Sequence, residues 1–270
     1  MINDYDLRKI ILHLVSGADT KLTPAAITNK IFAELSIDKK TTRKTIRQLI
    51  SDGELTYTYT YGSSFLEKSF NRPVRISKSV VVKPYNVTYT PGPPDIVINI
   101  FPGISFGSGE HPTTRLSVQA IEYILNEKQI IKDLPNATVL DIGTGSSILA
   151  ITALKFGVGS GIGVDTDACA RSEAKTNIRI NGFEKRIKTI KNLQKINQKF
   201  SLITANLRYP DIISLFPLIH KCSDIKNAVV ISGLRPEETD PVTDLYTEKY
   251  FKFLLKTTEK KWSCLIFKKR

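Results

Sequence analysis

The chain has little of what metal centres and disulfide frameworks are built from. Its 270 residues include three cysteines, Cys169, Cys222 and Cys264, and three histidines, His13, His111 and His220. The cysteines are odd in number and far apart, so they offer no paired spacing for bridges or zinc; they read as ordinary buried thiols, and no metal is expected. No apolar run approaches the roughly 18 residues that cross a bilayer. The start, Met1-Ile2-Asn3-Asp4-Tyr5-Asp6, is too acidic for a signal peptide, so a cytoplasmic location is expected. Negative charge is also short. Lys and Arg outnumber Asp and Glu by 39 to 26, a net +13 that divides into +5 over residues 1–80 and +8 over the remainder. Such a balance favours contact with nucleic acid, ribosomes or acidic surfaces, and equally serves solubility. A hydrophobic fraction of 41% suffices for a proper core in one large or two modest domains.

What the chain does have is a strand, a glycine turn and a helix in Val139-Leu140-Asp141-Ile142-Gly143-Thr144-Gly145-Ser146-Ser147-Ile148-Leu149-Ala150. Gly143 and Gly145 let the backbone turn tightly and approach a ligand that any side chain would obstruct. Alone, such a turn is as often structural as functional. A second strand, Gly161-Ile162-Gly163-Val164, ends in Asp165, where a carboxylate can accept hydrogen bonds from two ribose hydroxyls. The other role for Asp165 is a helix cap, for which Asp167 is better placed. Asp141 ahead of the glycines is the pattern of S-adenosylmethionine (AdoMet) methyltransferases rather than of dinucleotide folds.

Upstream lies Phe101-Pro102-Gly103-Ile104-Ser105-Phe106-Gly107-Ser108-Gly109-Glu110-His111-Pro112-Thr113-Thr114-Arg115. This stretch resembles the loop that precedes the AdoMet fold in the PrmA family of ribosomal-protein methyltransferases, at each of its fixed positions. Phe200-Ser201-Leu202-Ile203-Thr204-Ala205-Asn206-Leu207 resembles the family's fourth strand with its Asn-Leu tip, and Trp262-Ser263-Cys264-Leu265-Ile266-Phe267 its closing strand. The resemblance runs from near Val80 to the C-terminus. It implies a Rossmann-like seven-stranded class I methyltransferase sheet, AdoMet as cofactor, and a loop that closes over the methionine end of AdoMet, with Phe106, Gly107 and His111 near the cofactor. Two departures stand out. The family's ferredoxin-like recognition domain has no counterpart in residues 1–80, and the glycine expected after Ser146 is Ser147, which leaves less room for helix to approach strand.

From Val139 onward, apolar strands alternate with helices, which predicts a mainly parallel α/β sheet over residues 101–270. Gly143, Thr144, Gly145, Asp165, Asn192 and Asn206 then fall at the C-terminal strand ends, where such sheets bind ligands. Pro112 suits the first position of a helix whose core stripe is Leu116, Ala120, Ile121, Ile124 and Leu125, so Thr113 and Thr114 offer free N–H groups and hydroxyls to a carboxylate. Asn192 faces an adenine or simply makes a turn. His111 is placed as a positioning group ahead of a catalytic base.

Residues 1–80 read as a winged-helix-like domain. Leu7, Ile10, Ile11 and Leu14 form one helix face; Thr23 caps a second helix with Ile27, Ile31 and Leu35 inward; a third runs from about Lys39 to Ile50. Leu55, Tyr57, Tyr59 and Tyr61 alternate with threonines as a strand, and Gly62-Ser63-Ser64 turns it into a partner near Phe65-Leu66. Lys40, Arg43, Lys44 and Arg47 share one face of the third helix. They can contact phosphates, or be the solvated face of a protein-docking domain. Residues 81–100 read as a proline-rich linker ending in a strand, Ile96 to Ile100.

The chemistry centres on Asn206, with Leu207 beside it. At a strand tip the Asn206 carbonyl and nearby backbone carbonyls can accept from an incoming amine; the plain alternative is a turn asparagine. The leading expectation is methylation of a protein amine. A methyltransferase for nucleic acid or small molecules is the first alternative, although the Pro-Pro-aromatic sequence of base-amine enzymes does not follow Asn206. The second is a DNA-binding AdoMet sensor. Arg208 and Tyr209 are the candidates for substrate selection.

Overall fold

The computed structural model describes residues 4–270 except positions 19, 61, 102, 104 and 249, and except the side chains of residues 60, 195 and 226. Tyr61, Pro102, Ile104 and the first three residues therefore lie outside the described residues. The chain divides into two compact units, Met1–Arg72 and Pro73–Arg270.

In the first unit, α1 (Asp4–Gly17), α2 (Pro24–Leu35) and α3 (Lys39–Ser51) precede the antiparallel pair β1 (Leu55–Thr60) and β2 (Ser63–Lys68). Thr23 caps α2, accepting from the Ala26 N–H, with Pro24 in the first turn; Asp38 caps α3, accepting from Lys40 and Thr41. Leu7, Ile11, Val15, Ile27, Ile31, Ile46, Leu49, Leu55 and Leu66 form one core. The stripe on α1 is thus centred on Leu7, Ile11 and Val15, with Ile10 and Leu14 at its margin. Leu35 is 38% exposed, because it is the last residue of its helix. Ser63 and Ser64, expected in the turn, already belong to β2.

The second unit opens on a small sheet rather than a linker. β3 (Val74–Arg75) pairs antiparallel with β4 (Val80–Pro84), which pairs parallel with β5 (Ile96–Ile100). Val80, Val81 and Val82 are buried, so this segment belongs to a core, and the compact units meet at Arg72/Pro73 rather than near residue 80.

The rest is a seven-stranded sheet with its helices. In chain order these are α4 (Pro112–Glu122), β6 (Thr138–Ile142), α5 (Ile148–Lys155), β7 (Ser160–Val164), α6 (Ala168–Ile180), β8 (Ile187–Ile190), β9 (Phe200–Asn206), α7 (Tyr209–Cys222), β10 (Ser223–Leu234), α8 (Thr239–Thr247), β11 (Phe251–Glu259) and β12 (Trp262–Lys269). The sheet order is β11-β12-β10-β9-β6-β7-β8. β8, β7, β6, β9 and β10 run parallel, and β12 and β11 antiparallel. β6, β9 and the Ala228–Ile231 part of β10 are buried on both faces, which accounts for their nearly continuous apolar runs. The chain winds outward from β6 to β8, then returns to place β9 against the other edge of β6. That reversal puts a crevice at the carboxyl ends of β6 and β9.

Cys222 and Cys264 are buried as expected, but Cys169 is exposed at the start of α6.

Candidate active site

The register aligns the site. Ile142 pairs with Val164 on one side and Ala205 on the other, so Gly143, Asp165 and Asn206 stand level, each one residue past that paired row; Gly143 and Asp165 follow β6 and β7, and Asn206 is the last residue of β9. The N–H groups of Gly143 and Thr144 both donate to the Val164 carbonyl, at 2.8 and 2.9 Å, bending the chain across the end of β7. Gly143 has φ +70°, and a Cβ there would lie 2.4 Å from Leu207 Cδ2; at Gly145 it would lie 2.4 Å from the Phe106 carbonyl oxygen. The two glycines admit two neighbouring chain segments against the turn.

The sequence expects Asp141 at the cofactor, whereas the structure buries it beneath the turn. It is 1% exposed, and its oxygens accept from the Thr144 and Thr204 hydroxyls, both at 2.6 Å. Burial pushes its carboxyl up to about 6 against these bonds. Asp165 is half-buried and accepts from the Gly145 N–H at 3.0 Å and the Asp167 N–H at 3.0 Å. Asp167 caps α6 through the Cys169 N–H, so Asp165 is not the cap.

Ser147 has φ 67° and ψ 16° and stands at the N-cap of α5 without capping it. A glycine suits this position for its left-handed backbone. The Ser147 hydroxyl is buried with no hydrogen-bond partner among the described residues, and so is that of Thr114.

Phe106, Gly107 and His111 lie in the loop before α4. Ser146 donates from its N–H to the Phe106 carbonyl (3.0 Å) and from its hydroxyl to the Gly107 carbonyl (2.8 Å). His111 caps α4: its Nδ1 accepts from the Thr113 N–H and its carbonyl from the Thr114 and Arg115 N–H groups. These N–H groups, expected to be free for a ligand carboxylate, are committed within the helix start, and the Thr114 hydroxyl remains. The His111 ring contacts Phe106 (5.1 Å between centroids) and Trp262 (4.9 Å), and the Arg235 guanidinium lies over the Trp262 ring at 3.8 Å. Burial, then Arg115 and Arg235, holds the His111 imidazole below its ordinary value. Its Nδ1 caps the helix by accepting from the Thr113 N–H.

Sequence reasoning missed the groups that hold the loop. Glu173 and Asn177 on α6 and Asn181 at its C-cap recur every fourth residue. Asn181 accepts from the Asn99 N–H (3.0 Å) and donates to the Asn99 carbonyl (2.7 Å); Asn177 accepts from the Phe101 N–H (2.7 Å); Glu173 accepts from the Ser105 N–H (2.9 Å). Arg115 anchors the far side, donating to the Gly109 carbonyl at 3.1 Å and to Glu259. The signal was a polar i, i+4, i+8 stripe on α6.

Asn206 is half-buried at the end of β9, and no described residue bonds its side-chain amide. The Leu207 N–H donates to the Ser232 carbonyl at 3.1 Å, and a Cβ at Gly233 would lie 2.0 Å from the Leu207 carbonyl oxygen, so the tip is fixed against β10. Arg208 is exposed and Tyr209 half-buried at the start of α7. Asn192, two residues past the end of β8, is exposed, and its side-chain carbonyl accepts from the Gln194 N–H in a short 3-10 turn.

A sheet of this order, with a glycine turn after its first strand and an acid at the tip of the next, defines the class I methyltransferase fold. Comparison with known proteins gives the family. The model described as ribosomal protein L11 methyltransferase (PrmA) matches residues 64–270, and the chain belongs to that family. A ribosomal protein L11 methyltransferase of Geobacter metallireducens is 33% identical over 195 residues, 72% of this chain and 62% of the relative. One from Clostridium perfringens is 32% identical over 202 residues, 74% and 62% of the two chains. The crystal structure of a ribosomal protein L11 methylase from Lactobacillus delbrueckii subsp. bulgaricus superposes with TM-score 0.65 at 28% identity, over 74% of this chain and 99% of that one. The chain thus covers about three fifths of the length of the curated relatives, 62% for both.

Proposed function

We propose that this protein is an AdoMet-dependent N-methyltransferase acting on a protein amine, either lysine or N-terminal. The observation that carries this reading is the level placement of Gly143, Asp165 and Asn206 across three strand tips, with the Asn206 amide uncommitted among the described residues. Family membership supports the same chemistry.

The residues present fit AdoMet. The turn from Gly143 to Gly145 forms a cradle that a Cβ would close, Asp165 keeps accepting capacity for ribose hydroxyls, and the unpaired Thr114 hydroxyl suits the methionine carboxylate. Bound AdoMet supplies a sulfonium whose methyl group is strongly electrophilic. The protein has to orient the acceptor in line with that methyl and exclude water. Asn206 accepts from the acceptor amine through its side-chain carbonyl. Leu207, next in the chain and packed against Gly143, shapes the pocket beside it. A lysine amine, with a solution pKa of about 10.4, loses its proton more easily in such a partly dry site. A cytoplasmic location belongs to this reading.

The first unit would serve partner contact. Three helices and a strand pair agree with a winged-helix-like module, and four exposed cations on one face of α3, Lys40, Arg43, Lys44 and Arg47, favour nucleic-acid phosphates as a second partner. Incubating the protein with labelled AdoMet and an extract of its host tests the main reading. Label in a protein, recovered as an N-methylated residue, is the expected result; label confined to nucleic acid or small molecules refutes it.

A further inference from the structure

The cations of the first unit are segregated. Arg8 pairs with Asp52 (2.6 Å) and Glu54 (3.2 Å), Lys21 with Glu67, Lys30 with Glu34, and Arg72 with Glu54. Asp38, the carboxylate nearest the stripe in sequence, is held by the Lys40 and Thr41 N–H groups at the start of α3. Lys40, Arg43, Lys44 and Arg47 are exposed, and among the described residues none of them forms an ion pair. Thr42, Thr45, Ile46 and Leu49 occupy the buried positions of the same helix.

This stripe borders a cleft. Arg43 and Arg47 line a cavity of about 290 Å³ together with Pro24, Thr28, Ile46 and Tyr57. β1 leaves the core as it passes the cleft. Leu55 is 2% exposed, Tyr57 53% and Tyr59 74%, and alternation places all three on one face of the strand. Tyr57 therefore lines a cleft that already holds two guanidinium groups without an acidic partner among the described residues, and Tyr59 stands two residues on along the same face of the strand.

We infer that this cleft binds single-stranded nucleic acid, with phosphates on Arg43 and Arg47 and unpaired bases stacked on Tyr57 and Tyr59. The inference rests on the phosphate reading of α3 and goes beyond it in naming the form of the strand. Cations alone attract single and double strands alike. The tyrosines decide between them, because an unpaired base offers its face to a ring and a base inside a duplex does not. Every base has such a face, so the recognition tolerates sequence.

The test is fluorescence anisotropy on the full chain with three labelled probes, a single-stranded RNA, the DNA of the same sequence and the corresponding RNA duplex, at low and at physiological salt. Both single strands should bind more tightly than the duplex, and a preference between them assigns the natural ligand to RNA or DNA. Tyr57→Ala combined with Tyr59→Ala should weaken single-strand binding by about tenfold or more while leaving its salt dependence unchanged. The two Phe substitutions, which keep the rings, should retain binding. Arg43→Ala with Arg47→Ala should flatten the salt dependence by about 0.7 in log–log slope for each phosphate no longer neutralised. A duplex bound as tightly as the single strands, with no effect of the tyrosine pair, overturns this inference and leaves the phosphate reading standing. If none of the probes binds in a salt-dependent way, both fall.

Discussion

The Gly145 N–H donates to the Asp165 carboxylate at 3.0 Å, so the acid at the tip of β7 ties down the glycine turn after β6. The same carboxylate accepts from the Asp167 N–H, and a carboxylate has about four acceptor sites, so capacity for ribose hydroxyls remains. One side chain shapes the cradle and lines it.

Asp165→Ala should therefore weaken AdoMet binding by more than about tenfold, or roughly 1.4 kcal/mol, in titration calorimetry. Asp165→Asn keeps an oxygen for the Gly145 N–H and should lose less. Unchanged affinity in the alanine variant would remove Asp165 from the cofactor site.

Ser147→Gly should stabilise the protein. Ser147 holds a left-handed backbone at φ 67°, a conformation that costs a non-glycine residue about 1 kcal/mol, and its hydroxyl is buried without a partner among the described residues. Part of the gain is offset by the greater freedom of glycine in the unfolded chain. A rise of about 1 kcal/mol in unfolding free energy, read by denaturant titration, is expected; a loss of stability would mean that Ser147 makes a contact worth more than its strain.

Asp141 gives stability a pH dependence. Burial raises its folded-state pKa to about 6 from an ordinary value of 3.8, so the folded chain binds the proton more tightly. This contribution is complete below about pH 4 and is lost as pH rises through about 6, amounting to roughly 3 kcal/mol at most. Asp141→Asn should remove that slope, so the stability of the variant relative to wild type should rise between pH 4 and 7. Parallel profiles over that range would contradict the assignment.

Much of the second unit was legible in the sequence. β6, β9 and the Ala228–Ile231 part of β10 are buried on both faces, and their mostly apolar runs mark them. The glycine turn and the acid of β7 mark the crevice because a close backbone approach and a strand-tip carboxylate each need particular residues. Val80–Pro84 was not legible as a strand, since nearby prolines mimic a linker and its partner is the later strand Ile96–Ile100. Asn177 and Asn181 share a polar stripe with Glu173, but the stripe does not say what it holds. Each is an ordinary polar helix residue until the fold lays the backbone of Asn99 and Phe101 against it. His111 and Thr113 show the same limit: a helix start offers free N–H groups in the abstract, and here His111 takes them.

The measurement that bears most directly on the proposed chemistry compares Asn206→Ala with wild type in two assays, AdoMet affinity by calorimetry and single-turnover methyl transfer to the acceptor recovered from extract. If Asn206 orients the acceptor amine, affinity should stay nearly intact while the transfer rate falls by on the order of a hundredfold, since one positioned polar group is worth a few kcal/mol in a transition state. A variant that transfers methyl groups at the wild-type rate would contradict the amine site at the tip of β9.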